Sequence, residues 1–280
     1  MLKCSLNWKR IDVVGDDRLE WLGGQITTNL AGLETGEARP GLLLTAKGKT
    51  LTDLWVLASE DRLHLSLPAP ALEEAIARLE RYLVMEDVDL EVAEVSLLSV
   101  QGPGAAEALR AQTDAPLWPV PRFGKEGAEC WLEPDVLADV LTKLGGASDE
   151  AAWNDARVAA GRPALGSELA GRVLPQELGL YDHISFNKGC YIGQEPVVML
   201  EHRGKPPKRL VRVQGRALSA GAAVQRDDKD VATLTSASSD GSQALALVPR
   251  RHLDSTLSVN GQEVAVEVLR FDRAEAPAPA

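Results

Sequence analysis

The tightest constraint on the fold is a change of hydrophobic period between residues 63 and 92. Leu63, Leu65 and Leu67 alternate with other residues, as do Val88, Leu90 and Val92. That period of two is the pattern of half-buried strands. Between them Leu72, Ile76, Leu79 and Leu83 recur on one face at helical spacing, after Pro70 and with Glu73 and Glu74 in the first turn. Carboxylates there meet the positive end of a helix, so strand, helix and strand form one compact unit. Ser96 to Val100 predicts another strand, running through the tight turn Gly102-Pro-Gly104 into a helix carrying Ala105, Ala106 and Leu109. No lysine followed by serine or threonine stands after those glycines at phosphate-loop spacing. Asp149 to Ala160 predicts a further helix, stopped by Gly161 and Pro163.

The character changes after Gly204, because Pro206-Pro207 breaks any helix and short strands with turn residues follow. Asn260-Gly261 tolerates the positive φ of a type I′ hairpin turn, and Val264, Val266 and Val268 alternate on the return strand. Residues 205–273 therefore predict a small antiparallel barrel or sandwich. The Ala- and Pro-rich stretch 274–280 predicts a disordered tail.

The 280 residues, 45% hydrophobic and 25% charged, can bury the cores of two or three units. No apolar run approaches membrane-spanning length, and the N-terminal residues lack the apolar core of a secretory signal, so a cytoplasmic protein without a membrane partner is expected. Cys4, Cys130 and Cys190 are too few and too widely spaced for a disulfide framework or a Cys-x-x-Cys site. With four histidines, none paired at ligand spacing on an evident helix, no metal cage is expected. A net charge of −11 argues against DNA and against broad nucleic-acid binding. The charge is uneven: several acids and no base lie between Tyr82 and Leu109, whereas Arg203 to Arg216 holds six bases and no acid. Lys205, Lys208 and Arg209 could hold an anionic tail, meet tRNA phosphates weakly, or simply form a solvated strand face.

Reactive and permissive residues concentrate in Ile184-Ser-Phe-Asn-Lys-Gly-Cys-Tyr-Ile-Gly-Gln-Glu-Pro-Val197. Gly189 and Gly193 permit conformations or close approaches that a side chain would block. Pro196 suits the first turn of a helix reaching about His202, which puts Cys190 just ahead of a helix N-terminus. That position, with Lys188 nearby, would favour thiolate and lower the Cys190 pKa. The competing reading is a packed thiol, which suits Cys4 and Cys130 better.

Leu174-Pro-Gln-Glu-Leu-Gly179, the Lys188-Gly-Cys-Tyr-Ile-Gly-Gln-Glu195 run and Lys208-Arg-Leu210 resemble the YgfZ-type folate-binding proteins and their mitochondrial iron-sulfur assembly relatives. Arg18 to Thr27, Leu43 to Leu54 and Leu98 to Pro103 resemble the family's early helix, central hairpin and next strand and turn. The resemblance implies an α+β fold of the glycine-cleavage T-protein type: three units ringed around a central cleft, with a C-terminal antiparallel β-barrel. Residues 1–11 plus 96–200 would form one unit, with 12–95 inserted and the barrel closing the ring. Tetrahydrofolate or a derivative would be the cofactor, held by residues drawn from Lys188, Tyr191, Gln194, Glu195, Glu177, Gln25 and Asp53. Cys190 would be the reactive group at the cleft's edge, and the role would be support of iron-sulfur enzymes and tRNA modification. Asp53 either caps a turn or faces the cleft, and Trp21 and Trp55 either stack on the pterin or pack in a core.

The T-protein resembled here uses an asparagine and an aspartate seven residues apart, where this chain has Pro68 and Ala75, and a pterin-binding glutamate where it has Ala159. None of the three can transfer a proton. Asn29 also replaces an aspartate common in the family. These departures weigh against aminomethyl transfer, leaving folate-dependent one-carbon transfer and a folate-free adaptor as alternatives.

Overall fold

The computed structural model describes residues 1–124, 126–169 and 173–272; the expected disordered tail at 274–280 lies outside them. The chain opens with β1 (Leu2–Leu6), β2 (Trp8–Val14), α1 (Arg18–Gln25), β3 (Ala38–Leu44), β4 (Thr50–Ala58), β5 (Leu63–Pro68), α2 (Leu72–Glu80) and β6 (Asp89–Ala93). It continues through β7 (Ser96–Gln101), α3 (Ala105–Arg110), β8 (Trp118–Pro119), β9 (Gly127–Leu132), α4 (Pro134–Lys143), α5 (Glu150–Ala159) and α6 (Gln194–Arg203). The last strands are β10 (Lys208–Gln214), β11 (Ala223–Arg226), β12 (Lys229–Ala237), β13 (Gln243–Pro249), β14 (Leu257–Val259) and β15 (Gln262–Val268).

Three sheets result: a five-stranded one in the order β3-β4-β5-β2-β6, a four-stranded one in the order β1-β7-β9-β8, and a closed barrel β10-β13-β12-β11-β14-β15. The chain passes from the four-stranded sheet to the five-stranded one at Asn7, because β2 already pairs with β5 from Trp8 onward. That is earlier than the boundary at residue 11 expected from sequence.

The alternation in β5 marks a strand, but one covered on both faces. Leu63, Leu65 and Leu67 enter the core with Ala75 and Leu79 of α2, while His64 and Ser66 on the other face are also buried. The apolar half of such a pattern is visible in sequence; the cover over its polar half comes from another unit. Here Trp118 supplies it, edge-on to His64 with centroids 5.3 Å apart. The expected hairpin forms with Asn260 at φ 52° and Gly261 at φ 74°, so β14 and β15 pair through Val259 and Gln262. Barrel closure leaves none of its strands with an open edge.

The Asp149 side chain caps α5, accepting from the Ala152 N–H at 2.6 Å. Arg157 of that helix reaches the fully buried Glu168, which also accepts from the Thr235 and Ser236 hydroxyls of β12. A buried carboxylate with this many donors ties helix, loop and barrel together without being left unpaired.

Candidate functional site

Between the five- and four-stranded sheets lies a cavity of about 710 Å³, within the range of small-molecule sites. Trp8, Asp53 and Trp55 line it from the five-stranded sheet, and Arg122, Phe123 and Trp153 from the second unit. Arg162, Asp182 and His183 contribute from the segments around the ring's centre, and Asp272 from just beyond the barrel. The aromatic walls are held by ring contacts. The Arg122 guanidinium lies 3.7 Å from the Trp8 ring centroid, and Phe123 meets Trp153 edge-on with centroids 4.9 Å apart.

Asp53 faces this cavity rather than capping a turn. It sits two residues before Trp55 on β4, so the strand's period directs both to one side. Its Oδ1 is buried without a hydrogen-bond partner among the described residues. Burial raises its pKa, and the charges of His183 and Arg122 only partly oppose that. Three arginines also line the cavity, and each already faces a carboxylate: Arg122 binds Glu129, Arg157 binds Glu168 and Arg162 binds Asp182. The unpaired acceptor is therefore the cavity's distinctive polar group.

The other residues singled out from the Lys188 to Glu195 run, together with Glu177 and Gln25, do not line the cavity. They form a latch. The Lys188 ammonium donates to the carbonyls of Gly23, Ile26 and Thr28 at 2.5, 2.8 and 2.8 Å. These lie at and just beyond the C-terminus of α1, where carbonyls lack helical partners and attract a cation. Burial draws Lys188 down to about 8, while the three acceptors act in the opposite sense. The Lys188 ammonium is thus engaged with backbone carbonyls at the end of α1. The Ile192 N–H donates to the Gly24 carbonyl at 3.0 Å, and the Gln194 side chain accepts from the Tyr191 N–H at 3.1 Å. Tyr191 itself is buried among Leu42, Leu44 and Val197, and burial pushes its phenol up to about 12.

Gly193 has φ +84°, and a Cβ there would stand 2.3 Å from the Thr45 carbonyl oxygen. The expected close approach is real at Gly193 and absent at Gly189, whose Cβ would meet nothing within 4 Å. Glu177 accepts from the Leu174 N–H at 2.8 Å, with Lys49 3.9 Å away, and Gln25 accepts from Arg78 at 3.0 Å. Glu195 and Cys190 are exposed. Cys190 stands four residues ahead of α6, which begins at Gln194 with Pro196 in its first turn.

Of the two tryptophans weighed between the cleft and a core, Trp55 lines the cavity and also packs in a core cluster, whereas Trp21 packs in the core with its indole N–H on the Tyr82 carbonyl at 3.0 Å. Pro68 lines the cavity, Ala75 is buried in the core, and the Ala159 carbonyl accepts from Arg212. Asn29 closes a local turn by accepting from the Ala31 N–H at 3.0 Å. In the basic stretch Lys205 and Lys208 are exposed, but Arg209 donates to the Leu269 carbonyl and Arg212 pairs with Glu267. Sequence reasoning missed Trp8, Arg122, Phe123, Trp153, Asp182 and His183. A signal existed for His183, one of only four histidines and just before the reactive segment; the others converge only through tertiary packing.

Comparison with known proteins agrees with the fold. The GCVT N-terminal domain family matches residues 6–119. The glycine cleavage system aminomethyltransferase T of Bartonella henselae superposes with a TM-score of 0.84 over 95% of this chain and 84% of that one, at 22% identity. The chain thus has the fold of the aminomethyltransferase-like class. Among curated relatives, the tRNA-modifying protein YgfZ of Aliivibrio fischeri strain MJ11 is 30% identical over 234 residues, spanning 79% of this chain and 74% of that protein. The YgfZ of Vibrio vulnificus strain CMCP6 is 28% identical over 217 residues, spanning 73% and 67%. The chain belongs to the YgfZ family of this class, as the Lys-Gly-Cys-Tyr run implied.

Proposed function

We propose that the cavity binds tetrahydrofolate or a derivative, and that through it the protein supports tRNA modification and iron-sulfur enzymes. The observation that carries this reading is the unpaired Asp53 oxygen in an aromatic-walled cavity. A pterin is a flat heterocycle whose amino group and ring N–H need an acceptor, and Asp53 is a buried acceptor that needs donors. Trp8, Trp55, Phe123 and Trp153 offer faces and edges for the ring. When bound, the folate would supply one-carbon carrier chemistry. The chain's own contribution is to orient the pterin edge at Asp53 and to exclude water behind the tryptophans. With every lining arginine already paired, the glutamate tail belongs toward the cavity mouth rather than on a buried cation.

Cys190, exposed and outside the cavity lining, acts in this reading on a partner at the surface. Iron-sulfur enzymes would be such partners, and Lys205 and Lys208 would make any weak tRNA contact. The relatives named as tRNA-modifying proteins support that direction. Calorimetric titration with tetrahydrofolate tests the binding: wild type should bind, and Asp53→Ala should lose at least about tenfold in affinity. No binding to wild type refutes the reading. The alternative, folate-dependent one-carbon transfer, is disfavoured by Pro68 in the cavity wall and Ala75 in the core. It would be established by more than one equivalent of product from methylene-tetrahydrofolate and an acceptor.

A further inference from the structure

The cavity contains one arrangement that ligand holding alone does not use. His183 Nδ1 lies 2.7 Å from Asp182 Oδ1, and Asp182 Oδ2 accepts from Arg162 at 2.6 Å. The backbone on either side of the ring is fixed as well. The His183 carbonyl accepts from the buried Thr27 hydroxyl at 2.6 Å, and the Asp182 N–H donates to the Phe271 carbonyl at 2.7 Å. His183 is only 7% exposed, and all three residues line the cavity. An imidazole held through Nδ1 by a carboxylate has its tautomer set, and Nε2 becomes the nitrogen that takes or gives a proton. Nε2 has no hydrogen-bond partner among the described residues.

The charged groups around the ring come from every neighbouring element. Asp182, bound to Arg162, contacts the ring directly, and Asp53 of β4 lies within electrostatic reach of both His183 and Arg122. Asp272, itself bound to Arg270, lines the same cavity. Trp55 meets the imidazole edge-on, with centroids 6.5 Å apart. The ligand edge received by Asp53 is therefore next to an oriented imidazole.

Resting on the folate reading above, we propose that Asp182 and His183 form an acid–base pair that exchanges one proton with a ring nitrogen of the cavity's ligand. They supply the ionisable function that Pro68 and Ala75 cannot. An N–H bond of the protonated ring amine breaks, leaving its electron pair on the now neutral nitrogen, as an N–H bond forms at His183 Nε2; the positive charge passes from ligand to imidazolium, beside the Asp182 carboxylate. The reverse step returns the proton, and no electrons are transferred. The ligand class is a reduced heterocycle with a weakly basic ring amine. Asp182 is a positioning residue, and Arg162 positions Asp182.

The test is titration of the full chain with tetrahydrofolate in buffers of different ionisation enthalpy, from about pH 5.5 to 8.5. Because the bound pair holds one shared proton, binding takes a proton from the buffer where neither partner carried one and releases one where both did, so wild type should show a buffer-dependent enthalpy that reports this sharing. His183→Gln should bind within about tenfold of wild type but lose that dependence, and Asp182→Asn should reduce it. Binding by His183→Gln with the dependence unchanged, or wild-type binding with none at any pH, overturns the pair while leaving the folate reading intact. No binding by wild type sinks both. Should the variant fail to fold, nitrogen NMR of the wild-type ring decides. The signals should show Nδ1–H before ligand and a shift of Nε2 on its addition; an unmoved Nε2 overturns the proposal.

Discussion

Replacing Gly193 by alanine tests whether the most recognisable segment of the sequence is chemistry or architecture. At φ +84° a Cβ adds about 1–2 kcal/mol of backbone strain. It would also stand 2.3 Å from the Thr45 carbonyl oxygen and 3.1 Å from Leu44 Cβ. That oxygen is not free to swing away, because it accepts from the Gly48 N–H at 2.9 Å within the turn joining β3 and β4. Forcing the two segments apart adds about 1–3 kcal/mol. The total, about 2–5 kcal/mol, lowers the melting temperature of a chain this size by about 3 to 8 °C. Gly189→Ala is the matched control. Its Cβ meets nothing, so the change should stay within about 0.5 kcal/mol or stabilise slightly through the unfolded chain. Thermal and urea unfolding of the two variants measure the difference. Equal stabilities, or a larger loss at Gly189, would refute the latch.

Lys188→Met should cost about 2–4 kcal/mol in urea unfolding, since it leaves the carbonyls of Gly23, Ile26 and Thr28 without their cation; a variant as stable as wild type contradicts this. Asp53→Asn should be more stable than wild type at neutral pH yet bind tetrahydrofolate more weakly. The folded-state pKa of Asp53 is raised, so the native protein binds the extra proton, and wild-type stability falls as pH climbs from the ordinary aspartate value through the raised one. The advantage of the variant should therefore shrink on acidification, and a constant difference across the pH range would count against a raised Asp53 pKa. Asp12 behaves oppositely. Burial would raise it, but the hydrogen bond and charge of His64 and the contacts of Arg10 prevail and lower it. Its contribution should fade as pH falls below the ordinary aspartate value, seen as the loss of any difference between wild type and Asp12→Asn in strong acid. Among the thiols, Cys190 should react fastest with a disulfide reagent, whereas Cys130, buried and pushed up to about 12, should stay unreactive until unfolding.

The legible parts of this protein are those whose cause is local. The helix at Leu72–Glu80, the strand at Leu63–Pro68 and the Asn260-Gly261 turn follow from periodicity and backbone preference within a few residues. The family was equally legible, because the Lys188 to Glu195 run demands one local conformation. Its meaning was not: the motif looked like a ligand site, and its lysine, tyrosine and glutamine instead hold the loop against α1 and the core.

What the sequence alone determined is part of the set of elements, among them Leu63–Pro68, Leu72–Glu80, Ser96–Gln101 and Glu150–Ala159, and a close approach at Gly193 before residue 194. Only tertiary structure decided where the cavity lies. Trp8, Asp53, Arg122, Trp153 and His183 are far apart in the chain and share no spacing rule, and they meet because the five- and four-stranded sheets pack together through Trp55, Leu57, Leu97 and Trp131. A period reports which face of an element is buried, but not which distant face covers it, and this site is built at that cover.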